Sequence, residues 1–130
     1  MKQWTLVLAA IAACAITTRA ADKDLYADIV KPIMDGKCTD CHGEKKVKGK
    51  LRMDSYVALM KGGENGKCVK PGEGAKSLLY KGLKKPLNDD DHMPPKDKPQ
   101  LDAAEIAVIK WWNDKGAPEK MLISAAGEIP

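Results

Sequence analysis

No stretch of this 130-residue chain stays apolar long enough to cross a bilayer, which takes about 20 residues. The most apolar segment, Trp4 to Ala13, falls well short of that length. No β-rich alternation of apolar and polar residues is present and no segment repeats, so neither a sheet protein nor a repeat array is expected. Basic residues form no concentrated face of the kind that nucleic-acid binding needs. Histidine is scarce, with only His42 and His92. Cysteine numbers four, at 14, 38, 41 and 68; if Cys14 leaves with a leader and Cys38 and Cys41 are used together, Cys68 is an odd thiol, open to dimerisation or oxidation or simply a buried small hydrophobe.

The N-terminus has the layout of an export signal: Lys2, the apolar stretch to Ala13, then Thr18-Arg19-Ala20 as a small-residue cleavage site before Ala21. Residues 1–20 are therefore read as a signal peptide, 21–120 as one small domain and 121–130 as a loosely held tail. Ile11-Ala12-Ala13-Cys14 is a rival processing site, similar to the lipobox at which bacterial lipoproteins are acylated on cysteine. Membrane attachment is expected only if Cys14 is used in that way. Loss of residues 1–20 removes Lys2 and Arg19 from 22 basic groups and leaves 20 against 18 acidic ones, or +2. Lysines cluster at 45, 46, 48 and 50 and again at 81, 84 and 85, as a solvated surface or as a docking patch for an acidic partner.

The elements read as a handful of short helices. Leu25, Ile29 and Ile33 make an i, i+4, i+8 stripe, inside which Pro32 should kink or restart the helix. Leu51 and Met53 alternate with polar neighbours as a short extended piece. Ser55 is placed to cap a helix ended by Gly62-Gly63, and Ser77 to cap Leu78 to Leu83. Asn88 to Gln100 is a loop stiffened by Met93-Pro94-Pro95. Asp102 and Glu105 form a D-x-x-E capping box, Ile106, Ile109 and Trp112 share one face, and Gly116 and Pro118 end the last helix. Loops this long are unusual in a small domain unless something large fills its centre.

Cys38-Thr39-Asp40-Cys41-His42 is a C-x-x-C-H run. Two thiols at this spacing can add across the two vinyl groups of a haem, and the adjacent imidazole can then serve as axial ligand. Two other chemistries compete for the pair. A thioredoxin-like dithiol usually follows a βαβ strand, which is missing here. Cys38, Cys41, Cys68 and His92 could in principle form a zinc set, but their spacing matches no familiar ribbon or finger. For a sixth iron ligand the candidates are Met34, Met53, Met60, Met93, Met121 and His92. Met93 stands out because two prolines stiffen its backbone; His92 is the rival.

Export signal, C-x-x-C-H-G, a downstream Met and a C-terminal helix resemble the small class I c-type cytochromes. Further motifs narrow the likeness: Gly49-Lys50-Leu51-x-Met53-Asp54, Gly62-Gly63, Val69-x-Pro71-Gly72, Ser77-Leu78-Leu79, Met93-Pro94-Pro95, and Glu105-Ile106 through Trp111-Trp112 to Gly116-Ala117-Pro118. Together they are similar to the planctomycete-type cytochrome c domain over about residues 24–118. The resemblance implies an all-α class I cytochrome c fold, with short helices and long loops around one covalently bound haem c and its iron. It makes Cys38 and Cys41 the thioether anchors, His42 the proximal ligand and Met93 the distal one. Pro71 would supply the carbonyl that accepts the His42 Nδ1–H, and Trp112 or Trp111 would pack near the macrocycle, with Ile29, Ile33, Leu51, Leu79, Ile106 and Ile109 as pocket wall. The expected function is an exported monomer, not an enzyme, that carries single electrons between periplasmic redox partners and touches no nucleic acid. The alternative is a haem-based small-ligand sensor or weak peroxidase with an open sixth position.

Overall fold

The computed structural model describes residues 21–130; the signal peptide expected over 1–20, Cys14 included, lies outside the described residues. The fold is all-α, and the described residues contain no strand, only three isolated bridges. A π-helical turn, Tyr26–Val30, runs directly into α1, Lys31–Lys37. Pro32 explains this junction. It has no N–H to donate and its ring crowds the carbonyl four residues back. The wider turn puts the Lys31 N–H on Tyr26 O and places Pro32 within the first two positions of α1, where no donor is missed.

The wide turn also shifts the buried face. The expected stripe was Leu25, Ile29 and Ile33. Instead Leu25, Tyr26, Val30 and Met34 are buried, with Ile29 and Ile33 only half-buried. A helix with one extra residue in a turn rotates everything after it relative to a 3.6-residue period.

Helix α2, Tyr56–Lys61, begins at Ser55, whose hydroxyl accepts from the Ala58 N–H at 3.2 Å, and ends at Gly62 in a positive-φ conformation (φ 83°). Helix α3 spans Leu78–Lys84 and α4 spans Ala103–Asp114. The box at the start of α4 closes in both directions: Asp102 Oδ1 accepts from the Glu105 N–H at 2.8 Å, and Glu105 Oε2 from the Asp102 N–H at 2.9 Å. At its far end the Gly116 N–H donates to Asn113 O and the Ala117 N–H to Trp112 O, a Schellman pattern with Gly116 at φ 96°.

The core gathers these helices. Trp112 is fully buried, stacks on Tyr26 with ring centroids 5.6 Å apart and donates its indole N–H to Pro118 O at 3.0 Å. That is the crossing of α4 over the π-helical turn. Of the tail expected over 121–130, residues 121–126 are tied to the N-terminal segment. Leu25 N–H donates to Met121 O at 2.8 Å and Ile123 N–H to Lys23 O at 2.9 Å. A short α5, Ile123–Ala126, then buries Ala126 in the core. The pairing partners are a hundred residues apart in sequence, so no local signal announces them.

Ser77 also departs from expectation. Its hydroxyl caps nothing on α3; it accepts from the Lys70 N–H at 2.8 Å and from Asn113 Nδ2 at 2.5 Å. Fully buried, it pins the loop before α3 to α4.

Candidate haem site

Cys38 follows the last residue of α1, and the chain then turns tightly. Cys38 N–H donates to Met34 O at 2.8 Å and His42 N–H to Cys38 O at 2.9 Å, so both cysteines and the histidine sit on one compact turn. Gly43 makes the turn possible. A Cβ there would lie 2.3 Å from Thr39 O, a collision with backbone that no side chain could relieve. The chain then doubles back: Lys48 N–H donates to Cys41 O at 2.9 Å, and the His42 ring lies against the same returning strand of loop.

His42 Nδ1 is 3.0 Å from the Lys48 carbonyl oxygen. A carbonyl only accepts, so Nδ1 carries the proton, and the lone pair is on Nε2, which makes no hydrogen bond among the described residues. This is the form in which imidazole binds a metal, with the second nitrogen tied to fix ring orientation. The partner is the Lys48 carbonyl and not Pro71. Pro71 lines an open cavity of about 540 Å³ together with Met60, Lys67, Val69, Lys70 and Glu73.

The thiols fit covalent attachment in kind. Cys38, Cys41 and Cys68 are all free. Burial, helped by nearby Cys68 and then Asp35, pushes the Cys38 thiol up to about 12. Burial pushes Cys68 up to about 11. The 540 Å³ cavity is lined by both sequence neighbours of Cys68, Lys67 and Val69, and by none of Cys38, Cys41, His42 or Met93. Volumes of about 300–1,000 Å³ are usual for ligand sites. Two free thiols beside an imidazole with its Nε2 free are a donor set that fits haem.

Residues 38–97 match the family model described as planctomycete cytochrome C. This segment is similar to the planctomycete cytochrome C family. The match spans a little under half of the chain and takes in the C-x-x-C-H run and Met93. No curated protein and no solved structure gives a significant match. A c-type cytochrome domain implies covalently bound haem and its iron.

The matched segment holds its two histidines in opposite states. His92 is buried at 8 % exposure, with Nδ1 2.7 Å from Lys85 O and Nε2 2.8 Å from Gln100 Oε1. Both ring nitrogens are engaged with oxygen acceptors. Met93, its neighbour, is 40 % exposed; its N–H donates to Gly82 O at 3.1 Å and its side chain rests on Gly82 of α3. Met34 and Met53 are buried in the core, as expected of them, and Met60 lines the cavity. Trp112 is accounted for by Tyr26 and Pro118, so its burial needs no macrocycle. Of the expected wall, Leu79 and Ile109 are buried, while Ile29, Ile33, Leu51 and Ile106 pack half-buried against the core. Three contributors gave no sequence signal: the Lys48 carbonyl, Gln100, and Lys37, whose ammonium donates to Gln100 O at 2.8 Å.

Proposed function

We propose that this chain is an exported monohaem c-type cytochrome that carries single electrons between redox-partner proteins, with Cys38 and Cys41 as thioether anchors, His42 as proximal ligand and Met93 as distal ligand. When bound, the haem iron supplies a one-electron couple, and His/Met ligation raises its potential and closes the iron to substrate. The protein's own residues do the rest. Lys48 O orients His42 and holds its proton on Nδ1, and the turn around Gly43 presents both thiols together.

The observation that carries the reading is the contrast between the two histidines. His42 has a free Nε2, whereas both nitrogens of His92 face oxygen acceptors. That supports His42 as a ligand and, of the two residues 92 and 93, leaves Met93 with the free donor atom. Periplasmic location, a monomeric state and the absence of substrate chemistry belong to the same proposal.

Absorption spectra of the purified exported protein test it. A haemochrome spectrum is expected, with a far-red sulfur-to-iron charge-transfer band in the oxidised form that Met93→Ala abolishes. A band that survives this substitution refutes Met93 as ligand. The exposure of Met93 favours a second reading, a sensor or weak peroxidase with a labile sixth position. Ready binding of carbon monoxide by the reduced wild type would decide for it.

A further inference from the structure

One side chain gathers the carbonyls of the loop that carries Met93. Gln100 Nε2 donates to three carbonyls of that loop, Pro94 O at 3.1 Å, Pro95 O at 2.9 Å and Lys98 O at 3.0 Å. Three acceptors around one amide nitrogen also fix which way the amide points, because a flipped Gln100 would set an oxygen against three oxygens. Its Oε1 is thereby directed at His92 Nε2, 2.8 Å away, and the other face of that ring is tied to Lys85 O at the end of α3.

The backbone of the same residue reaches the other half of the site. Lys37 Nζ donates to Gln100 O at 2.8 Å and lies 3.9 Å from Glu105. Lys37 immediately precedes Cys38, so a continuous polar path runs from the cysteine turn through Lys37 and Gln100 to Pro94, the residue after Met93. Prolines stiffen that loop but cannot donate a hydrogen bond. Gln100 supplies donors to the carbonyls of Pro94 and Pro95.

We infer that Gln100 is a positioning residue for the sixth ligand: it clamps the Met93-Pro94-Pro95 loop and, through Lys37, sets the loop's span from the Cys38-x-x-Cys41-His42 turn. The inference rests on Met93 being the distal ligand. Thioether ligation is weak, and an unheld loop would spend it on the entropy of ordering. A ligand carried 40 % exposed on a loop needs such a clamp more than one buried in a helix.

The test uses the purified, exported, haem-loaded protein. Gln100→Glu keeps shape and the oxygen facing His92 but turns the donor into an acceptor. It is expected to weaken or abolish the far-red band, raise carbon monoxide affinity of the reduced form at least tenfold, and speed amide exchange across residues 92–98. Lys37→Met should do the same to a smaller degree. If Met93→Ala removes the band while Gln100→Glu leaves band, affinity and exchange unchanged, the clamp is refuted and the ligand assignment stands. If Met93→Ala keeps the band, the ligand assignment falls and the clamp with it. Should Gln100→Glu not fold, Gln100→Met, which keeps length without donors, gives the same readouts. Wild-type exchange is an independent check: the Met93 amide, bonded to Gly82 O, must be protected, and free exchange there refutes a held loop.

Discussion

Ser77→Ala separates two accounts of one residue by size of effect. As a helix cap, its loss would cost about 1 kcal/mol. The structure gives the hydroxyl a different job. It accepts from Asn113 Nδ2 at 2.5 Å and from the Lys70 N–H at 2.8 Å, while Ser77 and Asn113 are both essentially inaccessible to water. Alanine would strand the Asn113 amide in the core, at about 1–3 kcal/mol for an unsatisfied buried donor. The Lys70 N–H loses its acceptor too, in a part-buried bond, and adds to the cost. The expected loss is about 2–3 kcal/mol, or roughly 10–20 °C in Tm for a domain of this size. Urea unfolding followed by circular dichroism measures it, on Ser77→Ala, Asn113→Ala and the double variant. The hub requires the two losses to couple by more than about 0.5 kcal/mol, since each removes the same bond. Additive losses, or a Ser77→Ala cost near that of a simple cap, refute the hub.

Two further perturbations probe the site and the core. Gly43→Ala places a Cβ 2.3 Å from Thr39 O, so the cysteine turn must open; a stability loss of about 2 kcal/mol or more is expected, together with a lower haem-loaded fraction by absorbance, and normal loading at normal stability would show the turn is slack. Burial, then Asp35, Glu119, Tyr56 and Asp54, pushes the Tyr26 phenol up from 10.0 to about 12. A folded-state value above the unfolded one means the folded protein holds the proton more tightly, so this contribution is whole below pH 10 and is lost as pH climbs to about 12. Tyr26→Phe should flatten the fall in urea stability across that window, and an identical slope in the two proteins refutes the assignment.

The cysteine half of the site was legible because it is local. Cys38, Cys41, His42 and Gly43 act within one turn, and their spacing is the chemistry. The helix ends were legible for the same reason: Ser55, the Asp102 and Glu105 box and the Gly116 terminus each satisfy backbone groups within a few residues. Legibility failed where a side chain had two possible partners at different sequence distances. Ser77 could serve the helix that follows it or Asn113, 36 residues on, and burial decided for the second. For His42 the expected partner was the Pro71 carbonyl, and the Lys48 carbonyl, which no motif announced, takes the bond. The tight return of the chain after Gly43 brought Lys48 to the ring, only six residues away.

The Met93 half was harder to read, and the reason is physical. A methionine followed by two prolines shows stiffness, but stiffness does not say where a loop is anchored. The anchors are Gly82 on α3, Lys85 through His92, and Lys37 through Gln100, drawn from three separate elements. None of these contacts has a spacing rule behind it. His92 illustrates the cost of reading it alone: a histidine beside a candidate methionine is a natural rival ligand by composition. Once Gln100 and Lys85 engage both of its nitrogens, it becomes part of what holds the methionine in place. On the proposed Met93 ligation, a loop ligand depends on residues whose roles exist only after the fold has formed, and substitutions at Gln100 or Lys37 should move the haem spectrum without touching any residue the motif contains.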